Sequence, residues 1–180
     1  MDSYAYLANE FRDRIEAIAN AVDELAPKLE SASTLLFNQL VRDQKLLICA
    51  ASGDAFCAEY IARSARQGDQ DSAAIPCIAF TTKYPAGKSA ALLDDLRPVC
   101  RDGDVLLVID TEKTAPLVKA TLKFAYERNL HLLLLSEVSE ADDAVCIPIV
   151  AVKREIRTEL ALMASHSLLN LLQRLMIGEL

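Results

Sequence analysis

The chain has 180 residues, about half of them apolar, and a formal net charge of −7. That is enough apolar material for a folded domain with a sizeable core, and too much for a disordered chain. The acidic balance and the lack of a basic patch argue against direct contact with a nucleic-acid backbone, and no apolar run approaches the roughly 20 residues that span a bilayer.

The opening "MDSYAYLANEF" is acidic and lacks the basic segment of a signal peptide, so a cytoplasmic location is expected. Tyr4, Leu7, Phe11, Ile15, Ile18, Val22 and Leu25 follow at steps of three and four, the repeat of a helix with one apolar seam. Pro27 is expected to break this helix and open a second, from about 28 to 42, with Leu29, Leu35, Leu36, Leu40 and Val41 on its apolar side. A seam of this length needs a surface to cover it, and oligomerisation is the favoured reading.

From Lys45 the pattern changes to short apolar runs alternating with helical segments. The expected strands are 45–50, 75–80, 103–110, 130–136 and 144–150. The expected helices are 54–67, 89–100 (interrupted near Pro98), 114–128 (with Pro116 in its first turn) and 154–177. Strands that are apolar on both faces and alternate with helices imply a parallel sheet covered on both sides. The closing helix is apolar over most of its circumference, which again suggests contact between subunits. "REIRTE", Arg154 to Glu159, mixes signs and reads as its solvated start. The five cysteines, Cys49, Cys57, Cys77, Cys100 and Cys146, lack C-x-x-C spacing and read mainly as reduced core thiols.

Ligands of an open parallel sheet bind at the carboxyl ends of its strands, against helix N-termini that favour anions. Two loops leave such ends, "ASGDA" (51–55) and "DTEKTA" (110–115). Hydroxyls and glycines are the residues that hold a phosphate there, and both loops also carry carboxylates. Asp54 and Asp110 are read as capping the helix N–H groups themselves, with a cation drawn to the acids as the alternative. A carboxylate about 4 Å from a phosphate costs about 4 kcal/mol per pair of unit charges at an effective dielectric near 20. Lys113 is available to offset one of the acids.

The order of the N-terminal helices, "KLLICAASGDAFCAEYIARSA", "IPCIAF", "GDVLLVIDTEKTAPLVKA" and "IRTELALMASHSLLNLLQ" resembles the sugar isomerase (SIS) domain family. Within it the chain is most similar to the phosphoheptose isomerase branch, which includes the DnaA initiator-associating protein. The resemblance covers nearly the whole chain. It implies an α/β three-layer sandwich around a five-stranded parallel sheet with an N-terminal helical pair. The expected organisation is one domain over 1–180, with residues 1–43 for oligomerisation and 44–180 as the α/β core.

The branch's first loop typically reads C-G-N-G-x-S. Here Cys49 is followed by Ala50, Ala51, Ser52, Gly53 and Asp54, so Asp54 stands at the phosphate-contacting serine. The second loop typically reads S-T-x-G-x-S. Here only Thr111 matches, with Asp110, Glu112 and Ala115 at the serine-type positions. The segment after "IAF" is shorter than in the branch. The resemblance implies a Glu and a His as acid/base partners. The Glu position is Ser64, which cannot serve as a carboxylate base, and the His position is His166, a possible catalytic remnant or else a satisfied core or interface histidine. A C-terminal apolar pair that binds the partner protein in the DnaA initiator-associating protein is matched by Met176 and Ile177, which otherwise simply pack a helix end.

With these departures, the resemblance implies an oligomeric scaffold or regulator, expected as a homotetramer with DnaA as partner and with no cofactor or metal. The alternatives are a phosphoheptose isomerase acting on sedoheptulose 7-phosphate, and a sugar-phosphate sensor without catalysis.

Overall fold

The computed structural model describes residues 2–50, 52–67, 73–81, 89–113, 115–138 and 141–179. Five strands form one parallel sheet in the order β2-β1-β3-β4-β5. They are β1 (Leu46–Ala50), β2 (Cys77–Thr81), β3 (Val105–Ile109), β4 (His131–Ser136) and β5 (Ala144–Pro148). The helices are α1 (Ser3–Leu40), α2 (Ala55–Gln67), α3 (Ser89–Leu96), α4 (Ala115–Arg128) and α5 (Arg154–Ile177), with a 3-10 turn at Ser52–Asp54.

The pleat sorts the strand side chains into two cores. Leu46, Ile48, Ala50, Val105, Leu107, Ile109, Leu133 and Leu135 face α1, α2 and α5. Leu47, Cys49, Leu106, Val108, Leu132 and Leu134 face α3 and α4. Every residue of β1 and β3 is buried, which is why these strands read as unbroken apolar runs rather than alternating ones. The three-layer sandwich expected from the sequence is therefore present.

The N-terminal helical pair is not. Residues 3 to 40 form one helix that runs through Pro27. Proline removes one intrahelical hydrogen bond and crowds the carbonyl four residues back. Here its ring lies on the solvent side, where water can satisfy that carbonyl, while Leu25 and Leu29 on either side are buried. Packing of the flanking turns holds the helix together across the proline.

One apolar stripe runs the length of α1, and its two halves have different surroundings. In the C-terminal half, Leu25, Leu29, Ala32 and Leu36 are in the core. In the N-terminal half, Tyr4, Leu7, Phe11, Ile15 and Val22 are more than half exposed, and Ile18 is 37% exposed. That half is tied to the rest of the chain by a different face. Arg14 pairs with Glu159 at 3.0 Å, and Lys153 pairs with Glu10 and Asp13 at 2.6 and 3.0 Å.

Helix α5 keeps the bounds expected from its sequence and ends at Gly178, whose left-handed φ of 75° suits glycine. Among the described residues it is the one helix long and apolar enough to cross a membrane by length and composition. Its apolar positions Ile156, Leu160, Ala161, Ala164, Leu168, Leu169 and Leu172 instead lie in the core.

Candidate functional site

The strand order reverses between β1 and β3. After β1 the chain turns to the face of α2, and after β3 to the face of α4. The two loops therefore leave neighbouring strand ends in opposite directions, which opens a crevice at the sheet's carboxyl edge. Asp54 of the first loop and Thr111 of the second meet there. The first residues of α5, which follows β5, form a third wall.

Asp54 is fully buried. One carboxylate oxygen accepts the Thr111 backbone N–H at 2.7 Å, and the other accepts the Thr111 hydroxyl at 2.5 Å. The Thr111 and Thr158 hydroxyl oxygens lie 3.2 Å apart. The Arg157 Nε donates to the Thr111 carbonyl at 2.8 Å, and its Nη1 donates to the carbonyls of Ala151 and Val152 at 2.8 and 3.0 Å. Arg154 Nη2 lies 2.9 Å from Glu112 Oε1 and 4.0 Å from Asp54 Oδ1. This pair sits directly on the first loop: a Cβ added to Gly53 would lie 2.1 Å from Glu112 Oε1 and 2.2 Å from Arg154 Nη2.

A buried carboxylate is tolerated only when it is well bonded and its charge is answered. Thr111 supplies the bonds and Arg154 the charge. Three acids, Asp54, Asp110 and Glu112, and two arginines, Arg154 and Arg157, surround the crevice. Asp110 is also buried there, with its backbone N–H bonded to the Leu135 carbonyl at 2.9 Å.

Several sequence expectations change. Asp54 does not cap its own helix but bridges to the other loop. Lys113 does not offset the acids of the crevice; it pairs with Glu137 at 2.5 Å and has a left-handed φ of 61°. "REIRTE" is not a plainly solvated start, because Arg157 is buried and Arg154 reaches the crevice. These arginines went unread. The available signal was two basic residues, three apart, in the first turns of the helix after the last strand, at the same sheet edge as both loops.

His166 is not a core histidine. It is exposed on α5, and its ring packs at a tilt on Tyr60 of α2, with centroids 5.4 Å apart. Ser64 lies one turn beyond Tyr60 on α2 and is half-buried. Among the described residues no carboxylate is bonded to His166. At the far end of α5, Met176 is half-buried and Ile177 is 47% exposed. The helix spans about 36 Å and starts at the sheet's carboxyl edge, so this pair lies at the opposite end of the molecule from the crevice. Ala51, Thr114 and the short segment at 82–88 lie outside the described residues, and so does most of the polar loop at 67–74.

Cys49, Cys57, Cys77 and Cys146 are buried and Cys100 is half-buried. Burial pushes the thiols of Cys57 and Cys77 up to about 12. It pushes Cys49 higher still. Such thiols are poor nucleophiles.

No protein-family model matches the chain. Curated relatives align with it almost end to end. The phosphoheptose isomerase of Halorhodospira halophila is 27% identical over 196 residues, covering 99% of this chain and 98% of the relative. That of Dechloromonas aromatica is 26% identical over 202 residues, covering 99% of each. Among solved structures, a phosphoheptose isomerase from Francisella tularensis matches with a TM-score of 0.85 at 17% identity, covering 97% of this chain and all of that one. HobA in a HobA–DnaA (domain I–II) complex from Helicobacter pylori matches with a TM-score of 0.66 at 16% identity, covering 100% and 98%.

Proposed function

We propose that this chain, which has the fold of the sugar isomerase (SIS) domain and the end-to-end resemblance to phosphoheptose isomerases just described, works without isomerase chemistry as an oligomeric scaffold or regulator. In this reading residues 1–180 form one cytoplasmic domain, and the bare half of the α1 stripe joins copies into a homo-oligomer, with a tetramer favoured. The partner is DnaA or a protein used in the same way, as in the HobA–DnaA complex. Met176 and Ile177 are its candidate contacts.

One observation carries the reading. The crevice where a phosphate would sit is closed from within by the Asp54–Thr111 bridge and the Glu112–Arg154 pair. A phosphate dianion entering there would have to displace Asp54 from Thr111 and Glu112 from Arg154, because both carboxylates already occupy those donors and repel it. Two further features support it: Ser64 provides no carboxylate base, and His166 packs on the Tyr60 ring with no carboxylate bonded to it among the described residues.

The direct test pairs two measurements on the same protein. Surface plasmon resonance against purified DnaA should show binding at micromolar concentration. A coupled assay with sedoheptulose 7-phosphate should show no turnover. Absence of DnaA binding refutes that choice of partner, and turnover that disappears in His166→Ala refutes the non-catalytic reading.

The relatives' names and the presence of His166 favour phosphoheptose isomerase as the second reading. A sensor that binds sugar phosphate without converting it would show a thermal shift with the sugar phosphate and no turnover.

A further inference from the structure

The Asp54 carboxylate is held as a receptor holds a bound anion. Its donors come from another part of the chain: Thr111 gives both its backbone N–H and its hydroxyl across 57 residues of sequence. Thr111 is itself fixed from α5, through Arg157 on its carbonyl and Thr158 beside its hydroxyl. A guanidinium, Arg154, stands at 4.0 Å. The group is fully buried, and the Glu112–Arg154 pair lies over the adjacent Gly53 backbone.

We propose that Asp54 is an intramolecular ligand: its carboxylate fills an anion receptor built by Thr111 and Arg154, so the two loops are held together without any bound solute. This rests on the non-catalytic reading above and states what the crevice does in its place. The pairing supports it: Arg154 is shared between Glu112 at 2.9 Å and Asp54 at 4.0 Å, while Arg157 is taken up by the carbonyls of Thr111, Ala151 and Val152. Without Asp54, a buried N–H, a hydroxyl and half of a cationic pair face an empty volume, and buried donors without acceptors are costly. The crevice must then recruit a small anion or lose its geometry. A ligand-gated loop pair would be loose until the ligand arrives, whereas this pair is closed by its own side chains.

The test is anion rescue. Asp54→Ala and Asp54→Ser are melted in sodium formate, sodium phosphate and sodium chloride at equal ionic strength, beside the unaltered protein. Both variants should melt below the unaltered chain in chloride. Formate should raise their melting temperature with the logarithm of its concentration above the dissociation constant, by about 3–6 °C at roughly ten times that constant, and leave the unaltered protein unchanged. Adding Thr111→Val to Asp54→Ala should abolish the rescue.

Where a variant does not fold in chloride, refolding from urea is compared in formate and in chloride, and recovery in formate alone supports the proposal. Equal behaviour in all three salts, whether folded or unfolded, overturns it. Failure of rescue with DnaA binding intact removes this proposal alone. Isomerase turnover by the unaltered protein removes the functional reading, and the rescue experiment still reports on Asp54.

Discussion

Replacing Phe11 and Ile15 together by Glu tests whether the bare half of the α1 stripe joins copies of this chain. Each side chain is 65% exposed. Full burial of such a side chain contributes about 1.5–3 kcal/mol, so covering the exposed part contributes about 1–2 kcal/mol each. In a two-fold interface each position counts twice, which makes about 4–8 kcal/mol in all. The dissociation constant should therefore rise by at least about 10³-fold, before the cost of burying the new charges is added. The fold should be untouched, because both positions already face solvent within one chain. Sedimentation velocity at micromolar concentration is the assay. The unaltered chain should sediment as a multimer and the double variant as a monomer with the same thermal melt. Tyr126→Glu on α4, where the side chain is 81% exposed, should leave the multimer intact. A monomeric unaltered chain, or a double variant that still assembles, would refute the reasoning.

Thr111→Val removes the hydroxyl that bonds Asp54 and should cost about 1–3 kcal/mol of unfolding free energy in urea, because the carboxylate stays buried with one donor fewer; Thr111→Ser should retain most of it, and equality of Val with the unaltered chain would count against the bridge. Pro27→Ala should stabilise the chain, by up to about 3 kcal/mol, since α1 is helical on both sides of an exposed proline; a lower melting temperature would mean that the proline relieves a strain. Burial raises the thiols of Cys57 and Cys77 from 9.0 to about 12. The stability from keeping them neutral is complete below their ordinary value and is lost as pH rises from there towards about 12. The urea midpoint should fall across that alkaline window, and a thiol reagent at neutral pH should reach Cys100 alone in the folded chain. Rapid labelling of three or more thiols would refute the burial.

Much of this was legible along the chain. Residues such as Leu46–Ala50 and Val105–Ile109 had to be central parallel strands, because only a strand covered on both faces is apolar at every position. The expected bounds of α5, 154–177, are those of the helix found. Pro27 misled because proline's cost is local, whereas the helix is held by burial of Leu25 and Leu29 on either side. Arg157 misled because a charge among mixed charges looks solvated until its partners are known. Those partners are carbonyls at residues 111, 151 and 152.

The sequence by itself determined the layers, the strand ends where a ligand would bind, and the acids in both loops. Periodicity and residue type record burial and charge one position at a time, and these properties need nothing more; that the acids replace hydroxyls followed from the resemblance to the phosphoheptose isomerase branch. Only the tertiary structure decided where the Asp54 carboxylate points, which arginines answer it, and that one half of the α1 stripe is covered while the other is bare. Each of these depends on groups far apart in the chain arriving at the same sheet edge or helix face. That meeting is set by the strand order and by the packing of α1 and α5 against the sheet.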